Sequence, residues 1–232
     1  MQLVEYINKK EISDFFSIEA FKNLRTNIQF SGSDMRTILM TSTVMNEGKS
    51  TCSYHLAKAF AELGKRVLLM DCDLRKSVTL SKFRTEDRVF GLTHFLTGMQ
   101  TLDQCICESD TKNLHILFAG AFPPNPAELL STKGFAVLMD ALKSHYDYII
   151  VDAPPLGSVI DAAILAQHCD GAVLVIRQSE VKIRLAQNSK RQLERTGCKL
   201  LGVVLNGVTK ERGGKYYGKY YGAYYAQDGD RS

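Results

Sequence analysis

Thr41-Ser-Thr-Val-Met-Asn-Glu-Gly-Lys-Ser-Thr51 decides how this chain is read. An apolar run, Thr37-Ile-Leu-Met40, leads into it, and a helical pattern, Tyr54 to Leu63, leads out. Strand, tight loop, helix is the layout of a phosphate-binding loop. The start of such a helix presents backbone N–H groups without intrahelical partners and the positive end of the macrodipole. A triphosphate supplies the matching charge. Lys49 reaches terminal phosphates, and the Ser50 hydroxyl is a Mg²⁺ ligand in this pattern. The usual form is G-x-x-x-x-G-K-[ST]. Here the first glycine position is Thr43, and Val44, Met45, Asn46 and Glu47 fill the loop before Gly48-Lys49-Ser50-Thr51. A lone Gly-Lys-Ser is common by chance, so the rest of the chain carries the weight.

Two more strands end in carboxylates. Val67-Leu-Leu-Met-Asp71-Cys-Asp73 follows Gly64, which stops the preceding helix. A continuous apolar run predicts a strand buried on both faces of a parallel sheet. Alternation along it predicts Asp71 and Asp73 on the same side. Tyr148-Ile-Ile-Val-Asp152 repeats the pattern, and Pro154-Pro155 forces the chain out of the sheet.

The remaining elements alternate around these. Residues 1–16 show no clear period and read as an arm. Ser17 is the expected cap of a helix over 17–30, with Ile18, Phe21, Leu24 and Ile28 on one face. Glu19, Lys22 and Arg25 lie on another face: a solvated stripe with one weak intrahelical pair, or a charged contact between subunits. Residues 90–108 read as a short helical, exposed region, with His94 as a structural residue. Leu114 to Phe118 reads as a strand. Asn125-Pro126 opens a helix running through 127–142. Asp161 opens another that ends near His168, and residues 172–176 form a strand. Ser179 is the expected cap of a basic helix over 180–195, and 200–205 is the last strand, followed by Asn206-Gly207. Such alternation predicts an α/β fold: a doubly wound, mostly parallel sheet with helices on both faces. Residues 17–208 form its domain. Residues 209–232 differ in composition. Tyr216, Tyr217, Tyr220, Tyr221, Tyr224 and Tyr225 are six of the ten tyrosines, set among glycine and lysine, and a flexible tail is expected.

Hydrophobic residues are 45% and charged residues 23% of the 232, enough for a full core. A net charge of +4 does not argue for nucleic acid. Six scattered cysteines lack zinc-site spacing and read as small buried residues in a reducing compartment. No leader pattern and no apolar run of about 20 residues is expected to cross a bilayer, so membrane association would come through a partner.

Ligands in doubly wound sheets bind at the carboxyl ends of strands. The loop, Asp71, Asp73 and Asp152 all fall there. Three carboxylates beside a triphosphate require a divalent cation, and Ser50, Asp73 and Asp152 can supply its protein oxygens. One carboxylate is left to hold and deprotonate a nucleophile. Phosphoryl transfer asks the protein mainly for positioning and charge stabilisation.

These residues resemble the bacterial tyrosine autokinases of capsule and exopolysaccharide synthesis, over 17–225. Asp71-Cys-Asp-Leu-Arg75 resembles the family's second, A-prime Walker motif, and Ile149-Ile-Val-Asp-Ala-Pro-Pro155 its Walker B. Pro123 to Leu130 is similar to a characteristic family segment. Glu19-x-x-Lys22-x-x-Arg25 resembles the ring-assembly helix, with lysine in the middle place. The resemblance implies ATP and Mg²⁺ as cofactors, Lys49 on the phosphates, and Ser50, Asp73 and Asp152 around the metal. It implies Asp71 as acceptor of the tyrosine proton, Asn206 near adenine, and the tail tyrosines as sites of self-phosphorylation. It further implies a homo-oligomeric ring, a membrane-embedded activator of the polysaccharide-chain-length type, a cognate tyrosine phosphatase, and a cytoplasmic place at the inner face of the membrane. Met45 and Asn46 stand where the family often has proline and glycine; asparagine tolerates positive φ.

Two other classes compete. A partition or cell-division ATPase switch shares the fold, but its loop carries a lysine and two glycines where Val44, Met45 and Asn46 stand. A tyrosine tail stacking on RNA bases would leave the three aspartates idle.

Overall fold

The aliphatic runs assemble into one twisted sheet. A computed structural model describes residues 1–7 and 14–208. In chain order its first half contains β1 (Gln2–Tyr6), α1 (Phe15–Phe30), β2 (Thr37–Ser42), α2 (Lys49–Glu62), β3 (Val67–Asp71), a single 3-10 turn Leu80–Lys82, β4 (Phe83–Thr85), α3 (Leu92–Leu96) and α4 (Leu102–Cys105). The second half contains β5 (Ile106–Ser109), β6 (Leu114–Leu117), α5 (Pro126–Leu130), α6 (Lys133–His145), β7 (Tyr148–Asp152), α7 (Asp161–Ala166), β8 (Gly171–Arg177), α8 (Ile183–Arg195) and β9 (Lys199–Asn206).

The strand order is β4-β1-β5-β6-β3-β7-β2-β8-β9. The central strands β6, β3, β7, β2, β8 and β9 are mutually parallel. Two antiparallel contacts, β5 with β6 and β1 with β4, close one side. β2 and β3 are buried at every position, as strands covered on both faces must be. Alternate residues feed two cores. Leu39, Leu68, Met70 and Val151 pack with α6 and α7 through Phe135, Leu138 and Leu165. Ile38, Met40, Leu69 and Ile150 pack with α1 and α2 through Ile28, Leu56 and Phe60.

Several local expectations give way. Gln2–Tyr6, read as part of an arm, is a sheet strand paired in parallel with β5. Asp14 rather than Ser17 caps α1, its carboxylate accepting from the Ser17 N–H at 3.0 Å. The helical reading of 90–108 holds for α3 and α4, but the region is not exposed: Leu92, Thr93, His94, Cys105 and Cys107 are buried, and Ile106–Ser109 is a strand. The helix expected over 127–142 breaks between Leu130 and Lys133, where the Thr132 side chain caps a fresh start at the Phe135 N–H. Ser179 has a positive φ of 65° and caps nothing helical, so α8 begins at Ile183 instead. The tyrosine-rich tail, 209–232, lies outside the described residues.

Candidate phosphoryl-transfer site

The site grows from the end of β2. Its chain turns through Asn46 and Gly48, with φ of 66° and 90°, and enters α2 at Lys49. The positive φ of Asn46 is the conformation that a glycine would otherwise supply. The Glu47 carboxylate faces inward and is fully buried. One of its oxygens accepts from the N–H groups of Thr43 and Val44 at 2.7 and 2.8 Å, and the other from Arg177 at 3.1 Å. Glu47 thus ties the loop to itself and to β8. From the far side, the Asn206 side-chain amide donates to the Glu47 carbonyl at 2.9 Å. Met45 is exposed, and Thr43 is buried.

Strand register sets the carboxylates. Asp71 and Asp152 stand directly opposite each other on β3 and β7. The Lys49 ammonium lies 3.1 Å from Asp73 and 3.5 Å from Asp152, and donates to the Ser50 hydroxyl at 3.3 Å. Burial alone would lower its pKa; the charges of Asp152, Asp73 and Asp71 outweigh burial and hold it above the ordinary lysine value. Asp152 also accepts from Ser53 and Thr79 at 3.3 and 3.4 Å. Asp73 sits past the end of β3, in a turn. Its carboxylate accepts from the Lys76 N–H at 3.0 Å, and its own N–H caps Asp71 at 3.1 Å. A turn, rather than strand alternation, brings the two aspartates to one side.

Asp71 is fully buried. Burial first, and the Asp152 charge second, push its carboxyl well above the usual range; the Ser77 hydrogen bond, Lys49 and the Asp73 N–H oppose this. The Ser77 hydroxyl donates to its second oxygen. A carboxylate with a raised pKa beside a phosphate loop is suited to take a proton near neutral pH.

The donor set suits Mg²⁺: carboxylate and hydroxyl oxygens with no soft ligand among them. Among the described residues, no three His, Cys, Asp or Glu side chains converge to cage a metal unaided. A cation that keeps waters and shares phosphate oxygens needs no such cage. The cysteines take no part. All six are free, and burial raises the thiols, Cys52 to about 12.

Lys49, Asp71, Asp73, Asp152, Ser50, the loop 43–51 and Asn206 therefore share one edge. Glu19, Lys22 and Arg25 lie apart on α1. Glu19 and Lys22 pair with each other at 2.7 Å, and Arg25 donates to the Ala59 carbonyl of α2 at 2.8 Å. Sequence reasoning missed Ser77, Thr79 and Lys82. Lys82 is half-buried, donates to the Thr51 hydroxyl at 3.0 Å, and has its pKa lowered chiefly by burial. Hydroxyls at 77 and 79, four and six residues past Asp73, were the available signal.

Comparison with known proteins gives the chain's class. A family model described as an AAA domain matches residues 35–187. The tyrosine-protein kinase CpsD of Streptococcus pneumoniae is 42% identical over 203 residues, covering 88% of this chain and 86% of that one. The solved chimerical protein CapA2B2 superposes with a TM-score of 0.82 at 32% identity, covering 90% of this chain and 95% of that one. The septum site-determining protein MinD of Pyrococcus horikoshii, solved with Mg-ADP, has a TM-score of 0.63 at 25% identity, covering 76% and 73%. Sequence, fold and the Lys49-centred carboxylate edge converge: the chain belongs to the bacterial tyrosine-protein kinases built on a P-loop AAA-type domain.

Proposed function

We propose that the chain transfers the γ-phosphoryl group of ATP to the tyrosines of its own tail, between copies. The observation that carries this is Lys49, held 3.1 Å from Asp73 and 3.5 Å from Asp152 at the head of α2, with Asp71 buried behind them. Before nucleotide arrives, Lys49 neutralises the carboxylates. With ATP bound it turns to the β and γ phosphates, which lie against the N–H groups at the start of α2. Ser50, Asp73 and Asp152 would hold Mg²⁺, which offsets charge on the phosphate oxygens. Asp71 accepts the phenolic proton of the acceptor. The phenolic oxygen forms a bond to the γ phosphorus as the bond from phosphorus to the ADP oxygen breaks, and ADP leaves with that electron pair. Asn206 lies at the adenine side of the loop.

The acceptors in this reading are Tyr216, Tyr217, Tyr220, Tyr221, Tyr224 and Tyr225. A chain of about twenty residues with the glycine-rich composition of 209–232 would span roughly 25 Å as a random coil, a reach that supports transfer to a neighbour. Glu19, Lys22 and Arg25 on α1 would face the neighbouring subunit of a ring. Among the described residues no helix is long and apolar enough to cross a membrane. A membrane-embedded partner would hold the kinase at the inner face and activate it. A cognate phosphatase would reset the tail, and the cycle would govern capsule or exopolysaccharide synthesis.

The test incubates the full chain with ATP and Mg²⁺, with and without membranes of the source cells, and maps phosphate by mass spectrometry. Phosphate on the tail tyrosines that disappears in Lys49→Met is expected. ATP hydrolysis with no labelled tyrosine in either condition would replace the kinase with a nucleotide switch.

A further inference from the structure

Lys82 closes the 3-10 turn Leu80–Lys82 that enters β4, and the transfer step above makes no use of it. It is half-buried. Burial is the largest influence on its pKa, which is lowered; Asp152 opposes this, and Lys49 adds to it. Among the described residues its ammonium makes no ion pair, and the group it donates to is neutral: the Thr51 hydroxyl, at 3.0 Å. An apolar residue would fill the same space without that desolvation cost. A cation held in such a place without a carboxylate suits an anion that arrives later.

Thr51 is the third residue of α2, after Lys49 and Ser50. The leading backbone bond of the helix runs from the Cys52 N–H to the Gly48 carbonyl at 2.9 Å, so among the described residues the N–H groups of Lys49, Ser50 and Thr51 have no backbone acceptor. These are the donors that a phosphate-binding loop offers its ligand. The Thr51 hydroxyl also differs from those of other helical residues. Thr26 and Ser53 each donate to the carbonyl four residues back, at 2.9 Å. For Thr51 that carbonyl belongs to Glu47 and already accepts from Asn206. The Thr51 oxygen instead accepts from Lys82, and its own proton has no acceptor among the described residues.

We propose that Lys82 is a positioning residue for the nucleotide: it holds the Thr51 hydroxyl as a donor to the phosphates that remain with ADP. This rests on the nucleotide-binding part of the reading above and adds a second lysine to it. Lys49, at the first residue of α2, serves the β and γ phosphates, where charge moves during transfer. Lys82 is tied to the third residue and serves phosphates that do not react. Its contribution is then the same before and during transfer. It raises affinity for ATP and ADP alike and leaves the rate of the chemical step alone.

Lys82→Met keeps the aliphatic stem and removes the ammonium, while Lys82→Arg keeps charge and donor. The full chain is titrated calorimetrically with Mg-ADP and with Mg²⁺ plus a non-hydrolysable ATP analogue. Lys82→Met should weaken both ligands by the same factor, about tenfold, and Lys82→Arg should recover to within about threefold of the wild type. Thr51→Val should itself weaken ADP, and Lys82→Met added to it should cost less than it costs alone, because the hydroxyl it held is gone. In tail phosphorylation the ATP KM should rise with the ADP Kd, while the rate at saturating ATP moves less than about threefold. Unchanged ADP affinity in Lys82→Met, the full loss persisting on the Thr51→Val background, or a slower saturated rate with ADP affinity intact overturns the role of Lys82. A wild-type chain that binds Mg-ADP but labels no tyrosine overturns the kinase reading, and the calorimetric series still decides Lys82. A wild-type chain that binds neither nucleotide overturns both.

Discussion

Gly48 offers a quantitative probe of the loop. Its φ of 90° is left-handed, and a Cβ added there would lie 2.1 Å from the Asn206 amide nitrogen. Gly48→Ala therefore carries two costs. The left-handed backbone costs a side chain about 1 kcal/mol. Asn206 must also swing away and lose its 2.9 Å hydrogen bond to the Glu47 carbonyl, about 1 kcal/mol more. Asn206→Ala alone loses that bond and the one from the Gly207 N–H at 2.8 Å, together about 1–2 kcal/mol at a partly exposed site. In the double variant the clash is gone and the Glu47 bond is lost only once. The cycle should show a coupling of about 1 kcal/mol, the double costing less than the sum. Urea unfolding without nucleotide measures all four species on one linear-extrapolation scale. Single costs that add within about 0.3 kcal/mol would refute the contact between positions 48 and 206. ATP affinity supplies a second readout. Removing the clash leaves the backbone strain in place, so the double variant should still bind ATP more weakly than the wild type.

Asp71→Asn removes a buried charge opposed to Asp152, so the nucleotide-free protein should gain at least ~1 kcal/mol in urea unfolding while tyrosine transfer is lost; a destabilised variant would contradict the repulsion. Arg75 grips the fully buried Asp161 through two bonds of 2.7 and 2.9 Å, so Arg75→Ala should cost about 2 kcal/mol. That is below the ~3–5 kcal/mol of a fully buried pair because Arg75 is 40% exposed, and Arg75→Lys should not restore it, lacking the fork. His55 has its pKa lowered to about 4, first by burial and then by Lys58 and Lys82. The unfolded chain takes up this proton first, so stability present above pH 6.5 should fall by about 3 kcal/mol as pH drops toward 4, and His55→Leu should flatten that slope in thermal melts. Each tail phosphate adds about −1.5 to −2 charges to a basic segment, so full phosphorylation should lower particle mass in light scattering by loosening the proposed ring; an unchanged mass would rule this out.

How much of this was legible depended on local signal. β2, β3 and β7 announce themselves because each is a continuous aliphatic run ending in a polar residue, and burial on both faces permits nothing else. The loop survived its missing glycine because Asn46 tolerates positive φ, and the structure holds it at 66°. β1 was hidden because only Val4 of its five residues is buried, and its partners lie about eighty and a hundred positions away. Pairing at that distance leaves no trace in a short window. β5 was hidden because it follows α4 with no punctuating residue between them. At the helix starts several side chains compete, and sequence cannot weigh them. Asp14 wins over Ser17, and the 3.1 Å bridge of Arg177 to Glu180 accompanies a turn that displaces Ser179. The inward turn of Glu47 has no sequence signal, since an acidic residue in a loop is ordinarily solvated.

The arrangement of charge explains why the site needs so many hydroxyls. Two carboxylates face each other across a parallel ladder, where like charges destabilise. The Lys49 ammonium reaches Asp73 and Asp152 directly but acts on Asp71 only through its field. Ser53 and Thr79 therefore serve Asp152, and Ser77 serves Asp71. Hydroxyls, unlike a second lysine, lend hydrogen bonds without adding charge, and they can be displaced by an incoming donor at little cost. Lys49 and two hydroxyls thus converge on Asp152, while Asp71, one strand further on, meets a hydroxyl and a backbone N–H. The difference in surroundings between two like side chains thus follows from which neighbour each strand has: β7 lies beside β2, whose loop leads to Lys49 at the head of α2, and β3 lies beside β6.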